Sequence, residues 1–133
     1  MKNAKLLDAF PLVRFFKREA GSERVKALLA AAVASHTSLL ISELNAGEVF
    51  YAIARKFGAE RAEEVLTECF ALPIERIPVT WDIVLAAAKL KARWAMSYAD
   101  CFAAATAIQH HAILVTGDSE FKQVEHLVKI EWV

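Results

Sequence analysis

The chain alternates short apolar runs with longer stretches whose apolar residues recur every three or four positions. The short runs read as buried strands and the longer ones as amphipathic helices. Ala4 to Leu7 is the first run, and it ends at Asp8, a carboxylate at the carboxyl end of a predicted strand. Pro11 follows where the first turn of a helix tolerates proline, and Leu12, Val13, Phe15 and Phe16 give that helix its apolar side. Gly21 closes it or opens the next turn. A second helix spans Glu23 to Ala34, with Val25, Leu28, Leu29 and Ala32 at helical spacing.

Thr37 to Ile41 predicts the second strand. Ser42 is suited to cap a helix from Glu43 to Lys56 that Gly58 ends. The next helix, Ala59 to Phe70, carries Ala62, Val65, Leu66 and Cys69 inward and Glu60, Arg61, Glu63 and Glu64 outward. Pro73 stops it, and Ile74 to Val79 reads as a short third strand. Asp82 through Trp94 predicts a helix with an inner stripe of Leu85, Ala86, Ala88 and Leu90, and Ser97 to Gln109 predicts another. Ala112 to Val115 is a clean buried strand, closed by the turn Thr116-Gly117-Asp118-Ser119, where Asp118 or Ser119 can cap the next segment. Val128 to Val133 is the last strand. Strands alternating with helices predict an α/β fold on a parallel sheet.

Composition narrows the function classes. With 133 residues, 56% of them hydrophobic and 24% charged, the chain suits one domain, 1–133, with a sizeable core. A formal net charge of +0 excludes a grip on nucleic acid by electrostatics alone. It leaves room for a nuclease, whose acidic residues offset its basic ones. Cys69 and Cys101 lie in apolar helical patterns and read as buried free thiols. No cysteine and histidine cluster of zinc-binding spacing occurs. Met1-Lys2-Asn3-Ala4 leads directly into structure and no apolar run approaches membrane-spanning length, so the expected location is cytoplasmic.

Four carboxylates stand out against this background. Asp100 sits in Ser97-Tyr98-Ala99-Asp100-Cys101-Phe102-Ala103-Ala104-Ala105, where its helical neighbours are Met96, Ser97, Ala103 and Ala104. That face is too apolar to be solvated, so the carboxylate must be hydrogen-bonded, protonated or bound to a cation. The simplest alternative is a capping box with Ser97. Glu48 has Leu44, Tyr51, Ala52 and Arg55 on its face, which points it toward the body, or pairs it with Arg55 at the surface. Asp8 and Asp118 each follow a strand, and ligands of open parallel sheets bind beyond the carboxyl ends of strands. Four such acids in one place repel one another unless a cation is present. Hard oxygen ligands without His or Cys point to Mg²⁺ or Mn²⁺.

The pieces Leu6-Leu7-Asp8-Ala9, Asn45-Ala46-Gly47-Glu48-Val49, Ser97-Tyr98-Ala99-Asp100 and Thr116-Gly117-Asp118-Ser119-Glu120-Phe121, in this order and spacing, carry a resemblance. The chain resembles a PIN-domain ribonuclease, the VapC-type toxin of a VapBC toxin–antitoxin pair, over essentially its whole length. The resemblance implies a PIN-like three-layer fold with a central, mostly parallel sheet of four to five short strands flanked by helices. It implies Mg²⁺-dependent cleavage of RNA at Asp8, Glu48, Asp100 and Asp118, a homodimer and a small antitoxin partner. Metal would be held chiefly by Asp8 and Asp100. Glu48 and Asp118 would hold a second ion, bind through water or orient the attacking water, with Thr116 and Ser97 in support and Mn²⁺ able to substitute. Ala9 stands where the family often has a hydroxyl residue, and Pro11 and Arg14 where it is usually small and apolar.

Two other readings compete. One is a catalytically inactive PIN-fold module working through a protein partner, against which the presence of all four acids argues. The other is a phosphoacceptor domain using Asp8 as nucleophile. Phe10 stands where a haloacid-type phosphatase would want a second Asp, and Thr116-Gly117-Asp118 lacks the lysine of a receiver domain. Arg14, Lys17 and Arg18, with Arg55 and Lys56, could line an RNA path. Both groups fall late in helices, where cations complement the helix dipole. Phe50, Tyr51 and Trp94 could stack bases but suit core or interface positions as well.

Overall fold

The computed structural model describes residues 4–133. Residues 1–3, expected to lead straight into the first strand, lie outside the described residues. Five strands, β1 (Lys5–Leu7), β2 (Leu39–Ser42), β3 (Ile74–Ile77), β4 (Ile113–Thr116) and β5 (Ile130–Trp132), form one sheet in the order β3-β2-β1-β4-β5. Every pairing is parallel. The sheet therefore holds five strands and no antiparallel member among the described residues, within the expected four to five, mostly parallel.

Parallel strands need crossovers, and the helices supply them in pairs. α1 (Ala9–Lys17) and α2 (Ser22–Ala34) join β1 to β2, and α3 (Glu43–Phe57) and α4 (Ala59–Ala71) join β2 to β3. α5 (Trp81–Arg93) and α6 (Tyr98–Gln109) join β3 to β4, and a short 3-10 helix, Ser119–Val124, precedes β5. Side chains alternate across a strand, so Leu6 and Leu7, both fully buried, serve different cores. Leu7, Ile41 and Val115 pack with Leu12, Val25, Val49 and Val65 of α1–α4. Leu6, Ile77 and Leu114 pack with Ile83, Phe102 and Phe121 on the other face. α6 is buried without a break from Asp100 to Ala107, and its alanines permit that close approach.

The local stop and start signals act as the residues predict. The Ser42 hydroxyl accepts from the Leu44 N–H, and Gly58 ends α3 at φ +92°. Gly21, at φ +93°, opens α2, whereas α1 is closed by Arg18 in the left-handed region. Cys69 and Cys101 are buried free thiols. Three expectations are corrected. The fully buried positions of α5 are Ile83 and Ala87; of the expected stripe, Ala86 and Leu90 pack half-buried against the core and Leu85 is 41% exposed. Ala86, Ala87 and Ala88 carry too little apolar area to mark which side is inward. β2 and β3 run from Leu39 and stop at Ile77, because their register pairs Leu39 with Ile74 and Ser42 with Ile77. β5 begins at Ile130, after the 3-10 helix.

From β1 the chain moves outward through β2 to β3, then returns to the other side of β1 with β4 and β5. The order reverses between β1 and β4, and a crevice opens beyond their carboxyl ends at such a point. Asp8 follows β1 there, and Thr116 ends β4. Among the described residues no helix is long and apolar enough to cross a membrane.

Candidate functional site

Asp8 occupies the capping position of α1, yet its side chain makes no cap bond. It is turned instead toward β4, where the Thr116 hydroxyl donates to Asp8 Oδ2 at 3.0 Å. The same Thr116 oxygen accepts from the Asp118 N–H at 3.1 Å, which fixes the turn after β4. Asp118 Oδ1 accepts from the Glu120 N–H at 2.9 Å, so Asp118 caps the 3-10 helix.

Asp100 is the third residue of α6. Ser97 Oγ accepts from its backbone N–H at 3.1 Å, which is the cap half of a capping box. No bond from the Ser97 N–H to the Asp100 carboxylate occurs among the described residues, so the cap does not account for that side chain. Glu48 comes in from α3. Asn45 Nδ2 donates to Glu48 Oε1 at 2.6 Å and to the Ala99 carbonyl at 3.2 Å, and the Tyr51 hydroxyl lies 3.5 Å from Oε2. The alternative pairing of Glu48 with Arg55 does not form; Arg55 lies over the Tyr51 ring at 5.1 Å.

Asp8, Glu48, Asp100 and Asp118 line one cavity of about 220 Å³, together with Phe10, Arg14 and Tyr51. The electrostatics are unusual for carboxylates. Burial, opposed by the Thr116 hydrogen bond and reinforced by the charges of Glu48 and Asp118, pushes the Asp8 carboxyl up to about 7. Burial and then the charge of Asp8 push Asp100 up as well, and burial raises Glu48 against the hydrogen bonds from Asn45 and Tyr51. Among the described residues, no Lys or Arg forms an ion pair with any of the four. Two buried carboxylates, Asp8 and Asp100, beside the half-buried Glu48 and Asp118 are costly unless protons or a cation neutralise them.

The donor set fits a hard divalent ion. One carboxylate oxygen each from Asp100, Asp118 and the exposed Glu120 lie within 4.8 Å of one another; Asp8, expected as a chief ligand, is outside this close group but borders the cavity that Asp100 and Asp118 line. All of these donors are oxygens, as Mg²⁺ and Mn²⁺ prefer.

Four residues at this site stand outside the four expected acids and their two supporting hydroxyls. Glu120 stands two residues after Asp118 and enters the sequence pattern only as part of a motif. Asn45 is fully buried one turn before Glu48, and an amide on the inward stripe of α3 is the available signal. Tyr51, which suits base stacking or an interface by its sequence context, is 48% exposed at the cavity wall. Arg14, by sequence position either part of an RNA path or a dipole partner at the end of α1, also lines the cavity.

A family model described as PIN domain matches residues 5–127. The chain belongs to the PIN domain family. Solved PIN-fold structures agree in architecture. The DNA-bound VapBC of Salmonella typhimurium aligns at a TM-score of 0.77 and 15% identity, covering 98% of this chain and 98% of that one. VapBC2 of Rickettsia felis, bound to a DNA fragment from its promoter, aligns at 0.76 and 20% identity, covering 96% and 97%. VapC20 of Mycobacterium tuberculosis, described as a sarcin-ricin loop cleaving toxin, aligns at 0.69 and 17% identity, covering 82% and 85%. At these identities the likeness is one of fold. No curated protein matches the chain at a significant level.

Proposed function

We propose that this PIN domain is a divalent-metal-dependent endoribonuclease and the toxin of a VapBC-type toxin–antitoxin pair. The observation that carries the reading is the meeting of Asp8, Glu48, Asp100 and Asp118 in one cavity without a pairing cation side chain among the described residues. The named activity of the VapC20 structure, and a toxin–antitoxin complex and VapBC complexes among the other structural neighbours, support it.

In this reading Asp8 and Asp100 would hold the ion, Asp118 and Glu120 would add further carboxylate oxygens, and Ser97 fixes the start of α6 that carries Asp100. A bound Mg²⁺ would supply charge stabilisation for phosphoryl transfer and lower the pKa of its water. Thr116 keeps the Asp8 carboxylate in one orientation and favours its charged form. Glu48, which accepts from Asn45, would take a proton from the attacking water; the water oxygen would bond to phosphorus as one P–O ester bond of an RNA phosphodiester breaks, and the departing oxygen would take a proton from solvent and leave as an alcohol. Mn²⁺ substitutes for Mg²⁺. The chain works as one domain in the cytoplasm, as a homodimer, and a small antitoxin protein restrains it.

Purified chain incubated with single-stranded RNA tests the reading. Cleavage appears with Mg²⁺ or Mn²⁺, is poor with Ca²⁺, which accepts looser oxygen sites, and stops in EDTA. Inducible expression arrests growth, and Asp100→Asn relieves the arrest. Cleavage that continues in excess EDTA refutes the metal dependence. A metal-loaded wild type that leaves every RNA intact favours the inactive, partner-binding module.

A further inference from the structure

Arg14 stands where the dipole explanation places it in sequence but not in space. It belongs to the last turn of α1, whose carbonyl ends a cation there would complement. Its guanidinium instead lies over the ring of Phe10, one turn back, at 4.6 Å from the centroid. The side chain thus runs toward the amino end of α1, where Asp8 sits, and away from the carbonyls.

Phe10 is itself held in place. A Cβ on Gly117 would fall 2.4 Å from Phe10 Cε1 and 2.9 Å from the Val133 carbonyl oxygen, so only glycine lets this ring reach the turn after β4. Gly117, Phe10 and Arg14 therefore form a stack from that turn to the wall of the acid cavity. Arg14 shares the cavity with four carboxylates, yet among the described residues it makes no ion pair. A guanidinium braced on an aromatic face, half-buried and free of a carboxylate, retains its planar fork of donors for an anion from outside. RNA brings such an anion on either side of the bond to be cut, into a cavity whose own charge repels it.

The geometry points to Arg14 as a phosphate-binding residue that takes an RNA phosphate flanking the cleaved one, with Phe10 as its platform. This assignment rests on the ribonuclease reading above. Bidentate guanidinium–phosphate contacts carry both energy and orientation, so Arg14 offsets the repulsion and sets the register of the strand.

The test compares wild type, Arg14→Gln and Arg14→Lys on a short fluorescein-labelled single-stranded RNA of mixed sequence. Cleavage is followed with Mg²⁺, and binding by anisotropy with Ca²⁺ in its place. Arg14→Gln should raise KM and the dissociation constant roughly tenfold or more, as expected for one lost charged contact. The slope of log affinity against log salt should shrink by about 0.7, one phosphate contact on a single strand. Arg14→Lys should recover the salt slope but only part of the affinity, because it keeps the charge and loses the fork. Melting temperature should stay at the wild-type value. If wild type cleaves while Arg14→Gln matches it in KM, binding and salt slope, the Arg14 assignment falls and the ribonuclease reading stands. An Arg14→Gln variant that binds Mg²⁺ more tightly with unchanged RNA affinity also overturns it, making Arg14 a neutraliser of the acids. A wild type that neither binds nor cleaves RNA removes both.

Discussion

Thr116 Oγ1 donates to Asp8 Oδ2 at 3.0 Å, though 108 residues separate the two in the chain. Both sit at the carboxyl ends of adjacent parallel strands, where Leu7 pairs with Val115. The bond joins the two sides of the topological switch, and Thr116 passes the constraint on by accepting from the Asp118 N–H. One hydroxyl therefore places two of the acids.

Thr116→Val keeps the shape and removes the hydroxyl. The Asp8 carboxylate loses its donor and the Asp118 N–H its acceptor, at an expected loss of about 1–2 kcal/mol in folding stability. Because that hydrogen bond opposes the rise in the Asp8 pKa, its loss makes Asp8 harder to ionise still. Mg²⁺ affinity should fall at neutral pH and recover partly at alkaline pH. Isothermal titration across pH, beside denaturant unfolding, measures both. Unchanged Mg²⁺ affinity at every pH would separate Thr116 from the metal site.

The metal-free protein should be more stable in mild acid than in mild alkali, as far as this site is concerned. Asp8 ionises near 3.8 in its ordinary state and near 7 in the fold. The folded state holds the proton more tightly, so stability falls as pH rises through that window and stays low above it. Metal must displace those protons, so the rise in melting temperature on adding Mg²⁺ should be larger at about pH 8 than at about pH 5. Melting curves with and without Mg²⁺ at the two pH values read this directly. A metal-free protein that gains stability steadily from pH 5 to pH 8 contradicts the buried, proton-holding Asp8.

Asn45 makes a third case, because it ties α3 to the start of α6 as well as holding Glu48. Asn45→Ala removes both bonds and should cost about 1–3 kcal/mol in stability. Glu48 then loses the hydrogen bond that favours its charged form, so its pKa rises further. The acidic limb of the pH–rate profile for RNA cleavage should move to higher pH, and the maximal rate should drop. Loss of stability with an unmoved profile would make Asn45 a packing residue only.

How much of the fold and the site is legible in the sequence depends on how local each signal is. Ser42, Gly58 and Ser97 act on backbone groups within three or four residues, and each behaves as its sequence context predicts. Asp8 and Asp118 follow strands, and the parallel order carries both to one edge. The inward face of α5 escapes a sequence reading because three successive alanines give no contrast between sides. Asn45 is silent because its meaning depends on the Ala99 carbonyl, 54 residues away. Arg14 misleads for a related reason. Its place late in α1 is visible in the sequence, whereas the direction of its side chain depends on the Phe10 ring and on the missing Cβ of Gly117.

Asp100→Asn separates catalysis from folding. The cap of α6 uses the Asp100 backbone N–H, which asparagine retains, so the helix start should survive the change. The carboxylate is buried beside Asp8, and the charges of Asp8 and Asp118 both oppose its ionisation. Removing its charge relieves that repulsion, so the metal-free variant should melt no lower than wild type at neutral pH, and higher in alkali. The same change deletes a ligand oxygen's charge from the set that includes Asp118 and Glu120. Mg²⁺ should then give little or no rise in melting temperature, and RNA cleavage should collapse. A capping role for the side chain demands the opposite pattern, with a loss of about 1 kcal/mol and activity intact. Melting temperatures with and without Mg²⁺, measured beside cleavage rates, decide between them. A less stable Asp100→Asn protein that still cleaves RNA near the wild-type rate would return the carboxylate to the helix cap.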